Sequence, residues 1–334
     1  YEIQASDWSS DVCSSDLDWW NPKHRAEPAQ IEGDTILTTL WLTWLQFLIC
    51  VAVIGFAGVR LSRYGDAIAS LTGLSRNWIG LILIGTVTSL PELVTGMSAV
   101  TAANAPDIAM GDALGSCVFN LAILALIDVL YRKQFVYRVA SSEHMLSAAF
   151  SIILLAGAAF NLLMTRQNAM PIIGHISLGS VALLVMYLVT MRALYLAEQR
   201  HANARPGTKP EQLSMKAALM GYSISSAVII AAGVWLPFVG VELARVMGWS
   251  HSFVGSLFVA FATSVPELAT TWGALRVGAI DMALGNLLGS NLFDVMILAL
   301  DDIAYRAGSI YQSVSPVHAV SAVTACMMSA AVIV

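Results

Sequence analysis

Charged residues are scarce in this chain. Of its 334 residues only 12% are Asp, Glu, Lys or Arg, whereas 57% are hydrophobic and the mean hydropathy is +0.72. An average soluble domain is about 25% charged, and a soluble chain of this length would form about two domains. The 17 basic and 22 acidic residues are too few to cover them. The composition therefore excludes a soluble enzyme and predicts an integral membrane protein. The net charge of −5, without a basic stripe, also excludes a nucleic-acid binder.

Cysteine is scarce as well, and an apolar leader is missing. The four cysteines form no Cys-x-x-Cys pair, which excludes a disulfide framework or a zinc site; they are Cys13, Cys50, Cys117 and Cys326. Residues 1–35 are polar and contain no apolar core, so we interpret them as an extramembrane segment rather than a signal peptide. Within them, Asp7–Leu17 resembles translated adapter DNA, and we expect this stretch to be an artefact.

Long apolar runs are what the chain has in abundance. A spanning helix needs roughly 20 mostly apolar residues. Nine runs meet this length, at about 36–59, 76–100, 107–130, 143–164, 171–196, 215–240, 252–275, 281–304 and 315–334. The sequence therefore predicts an all-α polytopic membrane protein. We expect a first five-helix half over 36–196, a linker over 197–214 and a second half over 215–334.

Lysine and arginine give the orientation, because cytoplasmic loops are enriched in them. They concentrate in every second loop, as Arg60, Arg63 and Arg76, then Arg132, Lys133 and Arg138, then Arg200, Arg205, Lys209 and Lys216. The loops between carry one such residue at most, namely Arg166 and Arg245. This pattern predicts a cell-membrane protein with its N-terminus outside and the 197–214 linker in the cytoplasm.

The chain contains an internal repeat. Gly80–Val100 aligns with Gly255–Leu275 at an offset of 175, with 8 identities in 21 positions around Thr-Ser-x-Pro-Glu-Leu. Asp107–Arg132 aligns with Asp281–Arg306 at an offset of 174, with 14 identities in 26 positions. The copies, repeat 80–132 and repeat 255–306, are five runs apart. An odd displacement inverts the second copy in the membrane, which is the architecture of many secondary transporters.

Each copy carries a glutamate in mid-run. Glu92 follows Pro91, and a carboxylate at this depth costs at least about 2.5–3.5 kcal/mol without a partner. Proline lacks an N–H and frees backbone carbonyls in the preceding turn. Thr88 and Gly85 lie on the same helical face as Glu92. The second copy repeats this face at Glu267, Pro266, Thr263 and Ala260.

Polar stripes on the third and eighth runs complete the constellation. Their members recur every four residues: Asp112, Ser116 and Asn120 in one copy, and Asn286, Ser290 and Asp294 in the other. They are flanked by small residues that let helices approach closely, namely Gly111, Gly115, Gly285 and Gly289. We therefore expect all four stripes to meet.

These donors are almost all oxygen atoms. Hard cations such as Ca²⁺ accept six to eight oxygen ligands, and a lack of His disfavours zinc or copper. Two carboxylates neutralise one Ca²⁺ or roughly two or three Na⁺. Because an empty site leaves buried charges uncompensated, one cargo or the other must occupy it. The pattern thus predicts cation exchange.

The two motifs, duplicated and inverted, resemble the α-repeats of the cation/Ca²⁺ exchanger superfamily. Among its members, prokaryotic Na⁺/Ca²⁺ exchangers are the most similar, because H⁺-coupled exchangers carry Gly-Asn-x-x-Glu in place of Thr-Ser-x-Pro-Glu. The resemblance implies Ca²⁺ and Na⁺ as cargo, with no cofactor and no protein partner. It also implies ten helices, of which a tenth would be missing here, and a rigid core across which helices 1 and 6 slide.

The resemblance further implies an ion-ligand set. From the first copy it comprises the Gly85 carbonyl, Thr88, Ser89, Glu92, Ser116 and Asn120; from the second, the Ala260 carbonyl, Thr263, Ser264, Glu267, Ser290 and Asp294. Two positions depart from the family pattern, since Asp112 replaces Asn and Cys117 replaces Asn. Asp112 and its counterpart Asn286 are possible additional ligands. Asp112 alternatively faces water at a helix start.

The roles of three further acids, and three alternative functions, also follow from the sequence. For Asp128 and Asp302, with Asp301 beside the latter, we favour structural i,i+4 ion pairs with Arg132 and Arg306. A cation-attracting vestibule is the alternative. The histidines are scattered, with His144 and His251 at loops or run ends. The alternatives to Na⁺/Ca²⁺ exchange are an H⁺-coupled or other cation antiporter, a passive channel and, remotely, an intramembrane aspartyl enzyme.

Overall fold

The protein is a bundle of long apolar helices. This computed structural model describes residues 33–72, 88–130, 142–201, 213–276 and 280–333. The first half contains α1 (Gly33–Thr72), α2 (Leu90–Thr101), α3 (Pro106–Leu130), α4 (Ser142–Arg166) and α5 (Leu178–His201). The second contains α6 (Met215–Met247), α7 (His251–Phe253), α8 (Ala260–Thr263), α9 (Val265–Arg276), α10 (Ile280–Ala304), α11 (Ile310–Ser313) and α12 (His318–Ile333). A π-helical segment, Val254–Val259, joins α7 to α8.

The helix lengths confirm the all-α polytopic prediction. Within the described ranges, six helices are long and apolar enough to cross a membrane: Leu37–Gly65, Pro106–Val129, His144–Arg166, Leu178–Ala197, Met215–Met247 and Ile280–Ala304. The pair His251–Thr263 and Val265–Arg276, bent by 41°, is a seventh if it counts as one span. The predicted ninth run forms α12, a shorter apolar helix of 16 residues.

α3 and α10 are the more buried helices of the bundle, whereas α1 and α6 lie at its periphery. The Ile280–Ala304 span is 89% buried inside the protein, and α3, whose span is 67% buried, packs against it. In contrast, α1 packs along α6, and both expose large apolar side chains, such as Trp41 and Phe56 on α1 and Trp235 on α6. An outer face of this kind suits lipid, whereas polar groups inside a membrane protein face the interior of the bundle.

The equivalent serine of each copy departs from α-helical geometry. Ser89 has φ −82° and ψ 11°, and Ser264 has φ −83° and ψ 3°. Pro91 and Pro266 follow two residues later, and neither can donate to the preceding turn. In the second copy, where the residues on both sides of the motif are described, the helix bends by 41° between His251–Thr263 and Val265–Arg276, as the proline in that run predicts.

Glycines bring α3 against the π-helical segment. A Cβ atom on Gly111 would lie 2.7 Å from the backbone nitrogen of Ser256, and one on Gly115 would lie 2.5 Å from its carbonyl oxygen. Gly255 meets the backbone of Ile108 equally closely. π-helical turns inside α-helices are frequent at functional sites. The small residues thus allow contact between two backbones beside the predicted site.

Two equivalent His–Asp pairs extend the repeat beyond the predicted blocks. His318 Nε2 lies 3.0 Å from Asp107 Oδ1, and His144 Nε2 lies 3.2 Å from Asp281 Oδ1. Both histidines and both aspartates are 174 residues apart. The sequence signal was present, because His-x-x-Ser-Ala occurs at 144–148 and at 318–322. These pairs join α12 to the start of α3, and α4 to the start of α10.

Three predicted run boundaries are wrong. Arg60 and Arg63 lie on α1 rather than in a loop, because no proline interrupts that helix before Thr72. Arg245 lies in the last turn of α6 and donates to Glu242 at 2.9 and 2.6 Å. The predicted fifth run starts at Leu178. Before it, β1 (Ile172–Ile173) and β2 (Ile176–Ser177) pair antiparallel around Gly174, whose φ is +68°.

Several predicted features lie outside the described residues. They are most of the N-terminal segment, the start of the second run with Gly85, the basic loop with Arg132, Lys133 and Arg138, and the 202–212 part of the linker.

Replacing Gly115 by alanine should destabilise the bundle. The new methyl group meets helix backbone that has to shift, and overpacking of this kind costs about 1–3 kcal/mol. The measurement is the thermal unfolding midpoint of the purified protein in detergent. Gly273→Ala on α9 is the matched control, since no atom lies within 4 Å of its added Cβ. Equal midpoints for the two variants would contradict the close approach.

Candidate cation site

Two buried glutamates define the centre of the site. Glu92 lies in the first turn of α2 and Glu267 in the first turn of α9, and their exposed fractions are 1% and 0%. Each glutamate accepts a hydrogen bond from the serine of its own copy. Ser116 Oγ donates to Glu92 Oε1 at 3.4 Å, and Ser290 Oγ donates to Glu267 Oε1 at 3.3 Å. The duplicated sequence thus produces duplicated contacts.

Hydroxyl groups join the two copies. Thr88 Oγ1 lies 3.3 Å from Ser290 Oγ, and the equivalent pair, Thr263 and Ser116, lies 3.4 Å apart. Ser89 Oγ also donates across the centre to Glu267 Oε1 at 3.4 Å. The four predicted stripes therefore meet in one place.

The next layer contains Asp112 and its counterpart. Thr263 Oγ1 donates to Asp112 Oδ1 at 2.8 Å, and Thr88 Oγ1 donates to Asn286 Oδ1 at 3.2 Å. Asp112 is 1% exposed, so the interpretation that it faces water at a helix start is wrong. The start of α3 lies inside the bundle because its glycines admit the π-helical segment and α8.

A further layer lies on the opposite side of the serines. Asn120 Nδ2 donates to Asn291 Oδ1 at 3.0 Å, and Cys117 Sγ lies 3.8 Å from Asp294 Oδ2. Asn291 also reaches the Cys117 carbonyl oxygen at 3.4 Å. Sequence reasoning missed Asn291, although it is the repeat counterpart of Cys117 and stands where the family pattern has asparagine.

Several buried oxygen atoms in these layers have no hydrogen-bond partner among the described residues. They are Glu92 Oε2, Glu267 Oε2, Asp294 Oδ1, Asn120 Oδ1 and Ser264 Oγ. An unpartnered polar atom in a buried place is costly, and oxygen is the ligand type that hard cations prefer. No three His, Cys, Asp or Glu side chains within the described ranges are close enough for a metal cluster. An ion here would therefore need hydroxyl and amide oxygens beside carboxylates.

Of the two backbone carbonyls in the predicted ligand set, one lies in the described residues and the other does not. Gly85 lies outside the described residues. The Ala260 carbonyl oxygen accepts from the backbone N–H of Ser264 at 3.0 Å and lies 3.2 Å from Thr263 Oγ1. The predicted side-chain ligands lie in the layers described above, and their roles as ligands stay predictions.

The predicted ion pair of Asp302 with Arg306 is wrong. Asp302 accepts four hydrogen bonds from neutral groups: the Ser177 and Ile310 backbone N–H groups at 2.8 Å each, Ser309 Oγ at 2.8 Å and Ser180 Oγ at 2.5 Å. Arg306 lies beside His175 instead. Because α10 is buried to its end, the Asp302 carboxylate lies inside the bundle, where donors from β2, α5 and the start of α11 bind it. Arg306 is exposed and does not contact it.

Comparison with known proteins decides the family. A family model described as sodium/calcium exchanger protein matches residues 42–196 and 218–334. The chain belongs to this family. Its membership confirms the predicted resemblance to the cation/Ca²⁺ exchanger superfamily, and it places the protein among membrane exchangers rather than enzymes.

Individual relatives agree with this assignment. The inner membrane protein YrbG of Escherichia coli K12 is 23% identical over 261 residues, which are 75% of this chain and 76% of that protein. The fold matches the sodium-calcium exchanger NCX_Mj with a TM-score of 0.55 and 21% identity, covering 87% of this chain and 89% of the other. It also matches the H⁺/Ca²⁺ exchanger CAX with a TM-score of 0.62 and 13% identity, covering 90% and 86%.

Replacing Asp302 by asparagine should destabilise the protein. The amide keeps one acceptor oxygen, so two of the four buried donors lose their partner, at about 1–3 kcal/mol each. The thermal unfolding midpoint measures this loss. Gln312→Ala on neighbouring α11 is the control, because it removes an exposed hydrogen bond to Asn168. A midpoint for Asp302→Asn as high as that of the control would show that the four contacts contribute little.

Proposed function

We propose that the protein is a secondary antiporter that exchanges Ca²⁺ for Na⁺. The observation that carries the proposal is the pair of equivalent buried glutamates, each with one oxygen that has no partner in the described part of the chain. Family membership and the fold shared with NCX_Mj support cation antiport. Sodium coupling is further supported by the Thr-Ser-x-Pro-Glu motif.

Charge balance explains why such a site exchanges its cargo. Glu92, Glu267 and Asp294 lie within a bundle that is largely closed to water, and ionised carboxylates in such surroundings need counter-charge. One Ca²⁺ or several Na⁺ supply it, with oxygen ligands in either case. A reorientation with the site unloaded is therefore unfavourable, and the two ions are bound alternately.

Alternating access would come from α1 and α6, in line with the sliding pair that the family resemblance implies. The two helices pack along each other; α6 also contacts α2, and α1 also contacts α8 and α9, next to the two motif serines. On α1, Gly55 and Gly58 lie against Val265 and Pro266; on α6, Gly233 lies against Val94. Glycine contacts offer a smooth surface, so we propose that this pair moves across the two breaks and opens the site to either side in turn.

Proton coupling is the second candidate. Asp112 favours it, because the family pattern has a neutral residue there and the structure buries this extra carboxyl group one hydrogen bond from the site. The fold shared with CAX is compatible with either coupling ion.

The protein is a multi-pass membrane protein, and we propose its orientation from the distribution of lysine and arginine. The N-terminus lies outside the cell membrane, and the 197–214 loop lies in the cytoplasm between the two halves. Membrane lipid contacts the exposed apolar faces of α1, α5 and α6.

The test is ⁴⁵Ca²⁺ uptake into proteoliposomes. Vesicles loaded with Na⁺ and diluted into Na⁺-free buffer should accumulate Ca²⁺, and the uptake should fall to that of protein-free vesicles in Glu92→Gln and Glu267→Gln. Amides of the same shape remove the negative charge that holds the cations. Glu242→Gln is the matched control, because this glutamate is partly exposed at the end of α6 and pairs with Arg245.

Two outcomes would contradict the proposal. Uptake driven by a pH gradient and indifferent to Na⁺ would make the protein a proton-coupled exchanger. Full activity in either site variant would show that cargo binds elsewhere.

A further inference from the structure

Asp301, in the last turn of α10, is buried and unpaired. Its exposed fraction is 0%, and neither carboxylate oxygen has a hydrogen-bond partner in the part of the chain that the structure describes. Its neighbour Asp302 is equally buried but accepts four hydrogen bonds. A carboxyl group that only supports the fold has partners of the kind that Asp302 has. Asp301 lacks them, and the exchange mechanism above does not use it.

Asp301 lies beside the helix that carries Glu92. Its Oδ2 atom is 2.5 Å from the point that a Cβ on Gly96 would occupy, so only glycine leaves room for the carboxyl group. Gly96 follows Glu92 by four residues and lies on the same face of α2. The carboxyl group of Asp301 is therefore about one helical turn from the cation site.

The equivalent corner in the other half of the protein is neutral and paired. There, Asn286 Nδ2 donates to Thr270 Oγ1 and Thr271 Oγ1 at 3.0 Å each. The repeat places Asp112, Thr95 and Gly96 at the corresponding positions, and Ile127 corresponds to Asp301. The carboxyl group of Asp301 thus lies where the other half has a threonine side chain. Thr95 Oγ1 is also buried without a partner in the described part.

The surroundings of Asp301 favour a proton over a metal cation. The groups that act on it electrostatically are two further acids, Asp112 on α3 and its neighbour Asp302, while the phenol of Tyr311 on α11 also lies nearby. An ionised carboxylate in this place would lack counter-charge, which is costly. One proton neutralises one carboxyl group without further ligands.

Two hydroxyl groups lie between Asp112, at this corner, and Glu92 in the cation site. Asp112 accepts from Thr263, Thr263 lies beside Ser116, and Ser116 donates to Glu92. We propose that Asp301 is a proton-binding site of the transport cycle, and that it moves H⁺ opposite to Ca²⁺. The inference rests on the proposed cation exchange.

The step is a simple protonation. Asp301 changes from charge −1 to 0 when it takes a proton from water on one side of the membrane. Arrival of Ca²⁺ near Glu92 brings two positive charges about one turn away, which favours the ionised form and releases the proton. The exchange of Ca²⁺ for Na⁺ therefore gains a component that depends on pH.

Infrared spectroscopy tests the site without transport. Purified wild-type protein in Ca²⁺-free buffer should show a carboxylic-acid C=O band that Ca²⁺ removes and that is missing in Asp301→Asn. Glu267→Gln should keep this band. Retention of the whole acid band in Asp301→Asn would overturn the proposal, as would a band from Asp301 that does not respond to Ca²⁺.

Proteoliposomes that contain a pH-sensitive dye test the coupling. When Ca²⁺ is added outside vesicles loaded with Na⁺, the interior should become alkaline with the wild type and stay unchanged with Asp301→Asn. Uptake of ⁴⁵Ca²⁺ driven by Na⁺ should remain in the variant. An unchanged dye response in Asp301→Asn would overturn the proposal.

Controls separate folding and function. Asparagine has the shape of aspartate, and Asp301→Asn removes no contact described above, so its unfolding midpoint should equal that of the wild type. If the midpoint is lower, the same experiments are made with Asp301→Ser. If the wild type takes up no Ca²⁺ with Na⁺, the proposed exchange fails, while the infrared experiment still decides whether Asp301 holds a proton.

Discussion

Burial of carboxyl groups in an apolar bundle is the constraint on which the rest of this structure depends. Glu92, Glu267, Asp112, Asp294 and Asp301 are all at most 1% exposed. An ionised group in such a place costs several kcal/mol unless hydrogen bonds or counter-charge compensate it. The helix breaks, the hydroxyl-bearing faces and the glycine contacts all lie around these groups. The fold therefore surrounds these carboxyl groups with oxygen atoms, and no arginine or lysine of the described residues is paired with them.

The two copies of the repeat form these surroundings with equivalent contacts. Ser116 bonds to Glu92 as Ser290 does to Glu267, and Thr263 bonds to Asp112 as Thr88 does to Asn286. Where the copies agree, their side chains meet in a shared centre, which is the proposed cation site. Where they differ, the charge differs, because one corner has carboxyl groups and the other has amide and hydroxyl groups. At this corner the two halves of the protein therefore differ in charge, and here its behaviour can differ from that of an exchanger with two identical halves.

Much of this could be predicted from particular residues. Pro266, placed before a glutamate within an apolar run, predicted the bend of that span, and the spacing of Ser116 and Asn120 predicted a polar face. Boundaries failed where a helix continues past the apolar run into charged residues, as at Arg60 and Arg63 on α1. The partners of Asp302 failed for another reason. They come from Ser177, Ser180 and Ser309, and no local spacing connects these residues to α10.

The sequence by itself determined the class of the protein, its family and the residue types of the site. These depend on composition, period and repeated motifs, which are properties along the chain. Only the tertiary structure decided that Asp112 is buried, that Asn291 contacts Asn120, and that Asp301 lies unpaired against Gly96. The physical reason is that burial and pairing depend on which helix faces approach each other. Residues far apart in the chain supply those faces, and small side chains such as those of Gly111 and Gly115 set how closely they meet.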